Sequence, residues 1–353
     1  MNRFPLIAAT LLTIAVPSIA SAQATTPAPT PAIRRWVDVQ ALQAGARFRW
    51  NRNSADRVTT NSLQWHGQLR GRLLFDAGGK VSLNTLASTG TSFVSSWNDT
   101  GVGLGDYVGK VFVKQLFLAA TPVKGLELQV GGLFLNRGDV SENTSYDMDG
   151  YVVGERVIVR PSKGRVTQLS FTAGHIADFA APNVFKRLDD MVDFNYGQVL
   201  VGFTLSPRMS ASVDYTHEDG RDILRQGVTL RMPATVKLLT ALRGEAYQRI
   251  SDNNPAVDDA FGFNAAADLR WRKLSVTAGV MSVDRLARAI NGDRYATGKR
   301  WYSIGSLALT QDFTLGWFHG QAFDNSFPVA LKRRFDVILT FNPTARLKRA
   351  GIF

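Results

Sequence analysis

The chain has 353 residues, with 41 Lys or Arg against 29 Asp or Glu, a formal net charge of +12 and no cysteine. The absence of cysteine excludes disulfides, thiolate chemistry and cysteine-ligated zinc or iron–sulfur sites. Although 45% of the residues are apolar, no apolar run approaches the ~20 residues that a membrane-spanning helix needs. Apolar residues instead alternate with polar ones, which is typical of strands.

The first residues have the features of a secretory signal peptide. One early cation, Arg3, precedes an apolar run from Leu6 to Val16, and small residues follow up to Ala22. We expect cleavage after Ala22, so that residues 1–22 are removed. An N-terminal membrane anchor is the alternative, but the apolar run is about half the length of a spanning helix. Residues 23–35, rich in Pro, Thr and Ala, are expected to form an extended periplasmic leader.

A period of two runs through residues 36–343, which we interpret as one domain. In Ser62–Phe75, one set of alternate positions holds Leu and aromatic residues, and the other holds Gln, His and Arg. One face of this segment therefore suits lipid and the other suits water. The same division recurs in Leu126–Phe134, Leu169–Ala173, Met209–Thr216, Phe261–Arg272 and Phe335–Asn342. A basic tail, 344–353, follows the domain and ends in Phe.

Connections of two lengths largely alternate along the chain. The short ones, built from Gly, Pro and charged turn residues, are Asp76–Lys80, Thr121–Gly125, Pro161–Arg165, Ser206–Arg208, Met232–Thr235, Arg270–Lys273 and Gln311–Phe313. The longer polar ones are Asn51–Thr60, Ser88–Lys110, Asn136–Gly150, Ala177–Asn195, Ile250–Ala260 and Arg285–Lys299. Short periplasmic turns and long extracellular loops are the hairpin pattern of outer-membrane barrels.

The sequence therefore predicts an all-β fold, a closed antiparallel transmembrane β-barrel. Closure is required because every backbone N–H and C=O in lipid must be paired within the protein. Counting hairpins gives about 16 strands, within a range of about 14 to 18. Barrels of this size leave a water-filled interior. One of the long loops is a candidate for folding inward as a constriction.

The inward-facing positions are the candidate functional site, since lumen residues set the selectivity of a channel. They hold many cations, which we predict to line the pore and bind anions: Arg47, Arg49, Arg70, Arg72, Arg225, Arg231, Lys237, Arg243, Arg249, Arg270 and Arg272. A cation-lined aqueous passage attracts anions, and Arg can hold carboxylate or phosphate through paired donors. The alternative is that these cations pair with acids on the same face and only solvate the wall. Those acids are Asp214, Glu245, Asp268 and Asp336.

Over nearly all of the expected mature chain, the signal peptide, the alternation and the loop asymmetry resemble the bacterial outer-membrane porins. The first hairpin, with Ala46–Trp50 followed by Leu69–Arg72, is similar to the alginate-export type of barrel. The resemblance implies a Gram-negative-type outer membrane and a passive, Arg-lined channel for small anionic solutes or an anionic polysaccharide. It also implies contact with lipid and lipopolysaccharide, insertion by the barrel-assembly machinery, and association as a homotrimer. Phe353 matches the terminal aromatic of such barrels, whereas Pro343 and the basic residues after it depart from the usual last strand.

Two other functions compete with the channel. A barrel enzyme would need acid/base pairs, and the candidates are His175 with Asp178 and Asp214 with His217. No nucleophile motif such as G-x-S-x-G or H-E-x-x-H occurs, so we expect no catalysis, no cofactor and no metal. An adhesion or structural barrel with a closed lumen is the second alternative, which stays open. Nucleic acid is not an expected partner, because arginines spread over alternating strands do not form a concentrated patch.

Overall fold

A computed structural model of the chain describes residues 36–91, 110–140, 152–176, 183–218, 220–251, 260–284, 298–323 and 331–353. The expected signal peptide and leader, residues 1–35, lie outside these ranges, so their division stays a prediction. Within the described ranges, no helix is both long enough and apolar enough to cross a membrane.

Sixteen antiparallel strands close into one barrel, in which each strand bonds to its neighbours in sequence and β1 bonds to β16. The strands are β1 Val37–Arg52, β2 Val58–Leu74, β3 Val81–Gly90, β4 Phe112–Val123, β5 Leu126–Leu133, β6 Val152–Val159, β7 Val166–Ile176, β8 Tyr196–Ser206, β9 Met209–Glu218, β10 Arg221–Arg231, β11 Leu239–Ser251, β12 Phe261–Trp271, β13 Leu274–Val283, β14 Gly298–Ala308, β15 Phe313–Ala322 and β16 Arg333–Phe341. The prediction of a closed antiparallel barrel of about 16 strands is confirmed.

The alternation in the sequence sets which side chains face outward. On β2, Leu63 is 75% exposed and Trp65 is 45% exposed, whereas the next residue, His66, is 1% exposed. Successive side chains of a strand point to opposite faces of the sheet, so the Leu and aromatic residues lie outside and the polar residues lie inside. The outer surface of the barrel is therefore apolar, and its inner wall is polar.

The links at one end of the barrel, the turn end, are short, as predicted for the periplasmic side. An example is the two-residue link 124–125 between β4 and β5. In the link 75–80 between β2 and β3, the carboxylate of Asp76 accepts hydrogen bonds from the backbone N–H of Val81 at 2.7 Å and of Gly78 at 2.8 Å. These backbone bonds hold the pKa of Asp76 below its ordinary value and fix the turn.

At the opposite end, the loop end, the link between β1 and β2 is shorter than predicted, and the link between β9 and β10, for which no long loop was predicted, has two residues. The strands β1 and β2 extend to leave only 53–57 between them, where two backbone N–H groups donate to the Asn53 side chain at 3.0 Å. β9 ends at Glu218 and β10 begins at Arg221, with Gly220 at a φ of 79°. Glycine adopts this conformation without the steric cost of a side chain, which permits the tight reversal.

The C-terminal residues pack against β1 at the turn end. β16 ends at Phe341, and a short helix, α1 Thr344–Arg349, follows Pro343, which has no N–H to continue the ladder. The Thr344 hydroxyl oxygen accepts a hydrogen bond from the backbone N–H of Leu42 at 2.7 Å. Lys348 Nζ lies 2.8 Å from Asp38 Oδ1. The expected basic tail is thus, in its first part, a helix attached to β1.

Candidate functional site in the barrel lumen

A cluster of three arginines around one carboxylate occupies the inner wall where β1 meets β16. Arg49 donates through Nε to Asp336 Oδ1 at 3.0 Å and through Nη2 to Oδ2 at 3.1 Å. Arg334 Nη2 donates to Asp336 Oδ2 at 2.9 Å, and Arg47 Nη1 lies 3.8 Å from the same oxygen. All four residues are at most 2% exposed. Three guanidinium groups thus surround one carboxylate, and we call these four residues the Asp336 cluster.

Two further predicted pore cations pair one-to-one with acids of the inner wall. Arg225 Nε donates to Asp214 Oδ1 at 2.8 Å, and both side chains are almost fully buried. Arg243 lies 2.7 Å from Asp268 Oδ2, with half of its side chain exposed. For these arginines the structure shows the pairing that the alternative interpretation expected.

Three more of the predicted cations lie on strands, one of them buried and two exposed. Arg249 is buried on β11 with its Nη2 at 3.5 Å from the Tyr247 hydroxyl. Arg231 and Arg270 lie at the turn-end termini of β10 and β12 and are exposed.

Lys237 and Arg272 do not lie on strands, so their expected placement on the inner wall is wrong. Lys237 belongs to the link after β10, where Pro233 cannot donate to the ladder. Arg272 is in the link after β12, with a φ of 51°. Its guanidinium carbon lies 5.3 Å from the ring centroid of Trp271, which is 61% exposed on the outer face.

The beginning of the link between β5 and β6 lies inside the barrel. We call residues 134–140 the inner segment. Asn136 Nδ2 donates to Ser170 Oγ on β7 at 2.6 Å, and its carbonyl accepts from Gln198 Nε2 on β8 at 3.0 Å. The backbone N–H of Asp139 donates to Ser212 Oγ on β9 at 2.6 Å. The inner segment therefore runs along the wall from β7 to β9, as the hypothesis of an inward-folding loop expects; residues 141–151 lie outside the described ranges.

Two glycines permit this close approach. A Cβ at Gly138 would overlap the Ser212 hydroxyl, and a Cβ at Gly227 on β10 would overlap the carbonyl oxygen of Asp139. The Asp139 carboxylate accepts from Ser210 Oγ at 3.0 Å, so this acid is directed to the wall and not to the open lumen. Sequence reasoning missed these contacts; the small residues at inward positions of β9 and β10 are the signal that could have indicated them.

A cavity of about 270 Å³ lies between the inner segment and the strands β2 to β5. We call it the Arg70 cavity. The guanidinium carbon of Arg70 lies 4.6 Å from the ring centroid of Phe134, and no carboxylate among the described residues pairs with this guanidinium. Arg72 Nε donates to Asp38 Oδ2 at 2.9 Å. Arg70 is thus the predicted pore cation that combines a cavity with no acidic partner.

The acid/base pairs considered for an enzyme do not form in the described part of the chain. Asp214 faces inward, whereas His217 faces outward and lies 2.8 Å from Asp222 Oδ1. His175 Nδ1 lies 2.7 Å from the Asp193 carbonyl oxygen, and Asp178 is outside the described ranges. No group of three His, Asp or Glu side chains in those ranges is arranged to hold a metal ion.

No protein-family model matches the chain, and no curated protein matches it in sequence. Its fold is similar to solved porin structures. Two substituted forms of the Rhodopseudomonas blastica porin are 13% and 12% identical to it, with TM-scores of 0.53 and 0.52, and each alignment covers 87% of this chain and 99% of the porin. A structure described as "Asymmetric conductivity of engineered proteins" is 12% identical, with a TM-score of 0.53, and covers 86% of this chain and 100% of its own. The chain therefore has the fold of a porin-type β-barrel, as the sequence predicted.

Proposed function

We propose that this chain is an outer-membrane channel, not an enzyme, through which small hydrophilic solutes pass passively. The observation that carries the proposal is the closed 16-stranded barrel with an apolar outer surface and a polar inner wall. A β-sheet can span a lipid bilayer only when it is closed, because an open edge would leave backbone N–H and C=O groups without hydrogen bonds. Barrels of 16 to 18 strands have room for an aqueous channel.

The proposed selectivity is for anions. The Asp336 cluster has three guanidinium groups for one carboxylate, and Arg70 stacks on a ring without an acid partner in the described ranges. Both features lie on the side of the lumen formed by β1, β2 and β16. Arg225 and Arg243 are balanced by acids on the other side. An excess of positive charge on one wall of a narrow aqueous cleft raises the local concentration of anions.

The proposal includes the route to the membrane and the assembly there. Residues 1–22 direct export and are cleaved, 23–35 form a leader, and the barrel-assembly machinery inserts the domain among lipid and lipopolysaccharide as a homotrimer. N-terminal sequencing of the protein from isolated outer membranes is expected to start at Gln23. Cross-linking in the same membranes, followed by denaturing electrophoresis, is expected to give a trimer band.

The channel is tested in planar bilayers with the refolded mature protein. We expect stable conductance and a reversal potential, across a potassium chloride gradient, of the sign that chloride preference gives. Arg70→Gln, which removes a charge without an acid partner in the described ranges, should move the reversal potential toward zero. Arg243→Gln, which removes an acid-paired charge, is the matched control and should move it less. A correctly folded barrel without conductance would contradict the channel.

The size of the permeating anion is tested in the same membranes. Short uronate oligomers added on one side should block or carry current if the channel takes an anionic polysaccharide, the wider substrate that the first hairpin implies. If only small anions affect the current, the channel is restricted to small solutes.

A further inference from the structure

We propose that the Arg70 cavity binds organic carboxylates with a flat apolar ring, the chemical class of benzoate. This inference rests on the proposed channel function, because such solutes would reach the cavity through the lumen. Two observations carry it. The guanidinium of Arg70 has no acidic partner among the described residues, and two aromatic rings in edge-to-face contact lie beside it.

The first observation is that the Arg70 guanidinium lines the cavity without an acidic partner in the described ranges. The guanidinium carbon lies 4.6 Å from the centroid of the Phe134 ring, and the group also lines the cavity, where its N–H donors are the surface for a ligand. The edge of a planar guanidinium matches a carboxylate, which it can bind through two parallel hydrogen bonds. Arg49, Arg225 and Arg243 present the same edge to acids of the protein. In the described part of the wall, Arg70 has no such acid.

The charge around the cavity also favours an anion. Lys80, Arg137 and Arg72, the last paired with Asp38, line it together with Arg70. Glu127 is the one acid among the described lining residues. Glu127 Oε2 already accepts a hydrogen bond from Arg160 Nη1 at 3.0 Å. A solute carboxylate therefore enters a site whose lining cations outnumber its acids. The one acid, Glu127, is already hydrogen-bonded to Arg160.

The second observation is the pair of aromatic rings, Phe117 and Phe134, that lines the cavity. Phe117, 4% exposed, meets Phe134 edge to face, with ring centroids 6.3 Å apart and an interplanar angle of 83°. Offset and edge-to-face arrangements are those that aromatic rings prefer, so a third ring can pack against this pair. The volume of about 270 Å³ is below the range of about 300 to 1,000 Å³ typical of drug-sized ligands. The cavity is therefore suited to a single-ring solute.

The binding test uses refolded mature protein in detergent and isothermal titration calorimetry. Benzoate is expected to bind more tightly than acetate, which lacks the ring, and than benzamide, which lacks the charge. Arg70→Gln should weaken benzoate binding by about ten- to a hundredfold, the value of a charged hydrogen-bonded pair. Phe134→Leu keeps the charge but removes the ring face and should also weaken it. Arg243→Gln removes a charge from the acid-paired wall and should leave the affinity unchanged.

The outcomes distinguish failure of the proposed carboxylate site from failure of the proposed channel. Equal binding of acetate and benzoate, or unchanged affinity in both Arg70→Gln and Phe134→Leu, overturns the site. Conductance in bilayers without benzoate binding also overturns the site but leaves the channel intact. Benzoate binding by a folded barrel that does not conduct supports the site and contradicts the channel. Folding of each variant is checked by its heat-modifiable mobility on gels, and the ligand series on the unsubstituted protein keeps the test valid if one variant does not fold.

Discussion

Asp336 is the carboxylate on which three buried arginines of the inner wall converge. Asp336→Asn removes this counter-charge, so we expect a loss of about 3–5 kcal/mol in the free energy of unfolding, the cost of breaking a buried pair from one side. Urea unfolding in phospholipid vesicles, followed by tryptophan fluorescence, measures it. Asp268→Asn is the control and should cost at most about 1 kcal/mol, because its partner Arg243 is half exposed. Equal losses in the two variants would contradict the prediction.

Glu155 is a carboxylate on the outer face of β6. In register it lies between Val130 on β5 and Ala173 on β7, and it forms no hydrogen bond or ion pair with another described residue. A charged side chain on the lipid face destabilises a barrel, and acids do so less than Lys or Arg. Glu155→Val should therefore raise the unfolding free energy in vesicles by about 1 kcal/mol. A decrease would mean that the carboxylate meets a polar partner outside the chain, such as a second subunit.

The sequence predicted which face of a strand many of these residues occupy, but not their partners. Arg47 and Arg49 were placed on the inner wall from the period of two alone. Their shared partner, Asp336, is 287 residues beyond Arg49, and only closure of the barrel brings β1 beside β16. A local sequence pattern cannot indicate a pairing between residues so far apart in the chain. Lys237 and Arg272 were misplaced because alternation was continued into turns, where the period of two ends.

The inner segment narrows the barrel from one side. Because a Cβ at Gly227 would overlap the Asp139 carbonyl oxygen, Gly227→Ala should push the inner segment away from β10 and into the lumen. We expect a lower single-channel conductance at fixed salt. Gly316→Ala on β15 is the control, since its Cβ would meet its nearest neighbour at 3.5 Å, an ordinary contact, and it should leave conductance unchanged. An unaltered Gly227→Ala channel would show that the inner segment does not set the conductance.

At the scale of elements, alternation and turn residues located most of the strands, whereas the lengths of the links at the loop end were less predictable. The Asp219–Gly220 dipeptide is a hairpin signal that could have indicated the tight reversal between β9 and β10. The inner segment has no comparable signal in its own sequence. Its place is fixed by hydrogen bonds to serines on β7 and β9 and by the space that distant glycines leave.

Seen across the whole barrel, the inner wall has two unlike sides. The inner segment covers the wall from β7 to β9, and Asp214 on β9 is paired with Arg225 on β10. On the opposite side, β1, β2 and β16 carry the Asp336 cluster and Arg70. The Arg70 cavity lies on this second side, between β2 to β5 and the inner segment. Solutes on this path would therefore pass the guanidinium of Arg70, on which the proposed carboxylate site depends.

Closure of the barrel depends on β16, and the residues after it are outside the ladder. The pairing of β1 with β16 ends at Ala44 with Phe341, and Phe341 also packs on Phe313 with ring centroids 4.8 Å apart. Phe335, Val337, Leu339 and Phe341 alternate along the outer face of this strand. If the assembly machinery inserts this chain, as proposed, we expect its signal to be the aromatic-ended strand at Phe341 and not the chain terminus.

Deleting residues 344–353 should accordingly leave insertion intact, because the deletion removes only the contacts of α1 with β1 and neighbouring turns, such as Lys348 with Asp38. Phe341→Ala in the full chain should reduce the folded fraction more, since it removes a ring from the closing strand. Both are measured as the heat-modifiable, folded band in isolated outer membranes after matched expression. Phe353→Ala serves as the comparison for loss of the terminal aromatic alone. If the truncated chain and Phe353→Ala fail to insert while Phe341→Ala inserts normally, the assembly signal is the chain terminus, and α1 is part of it.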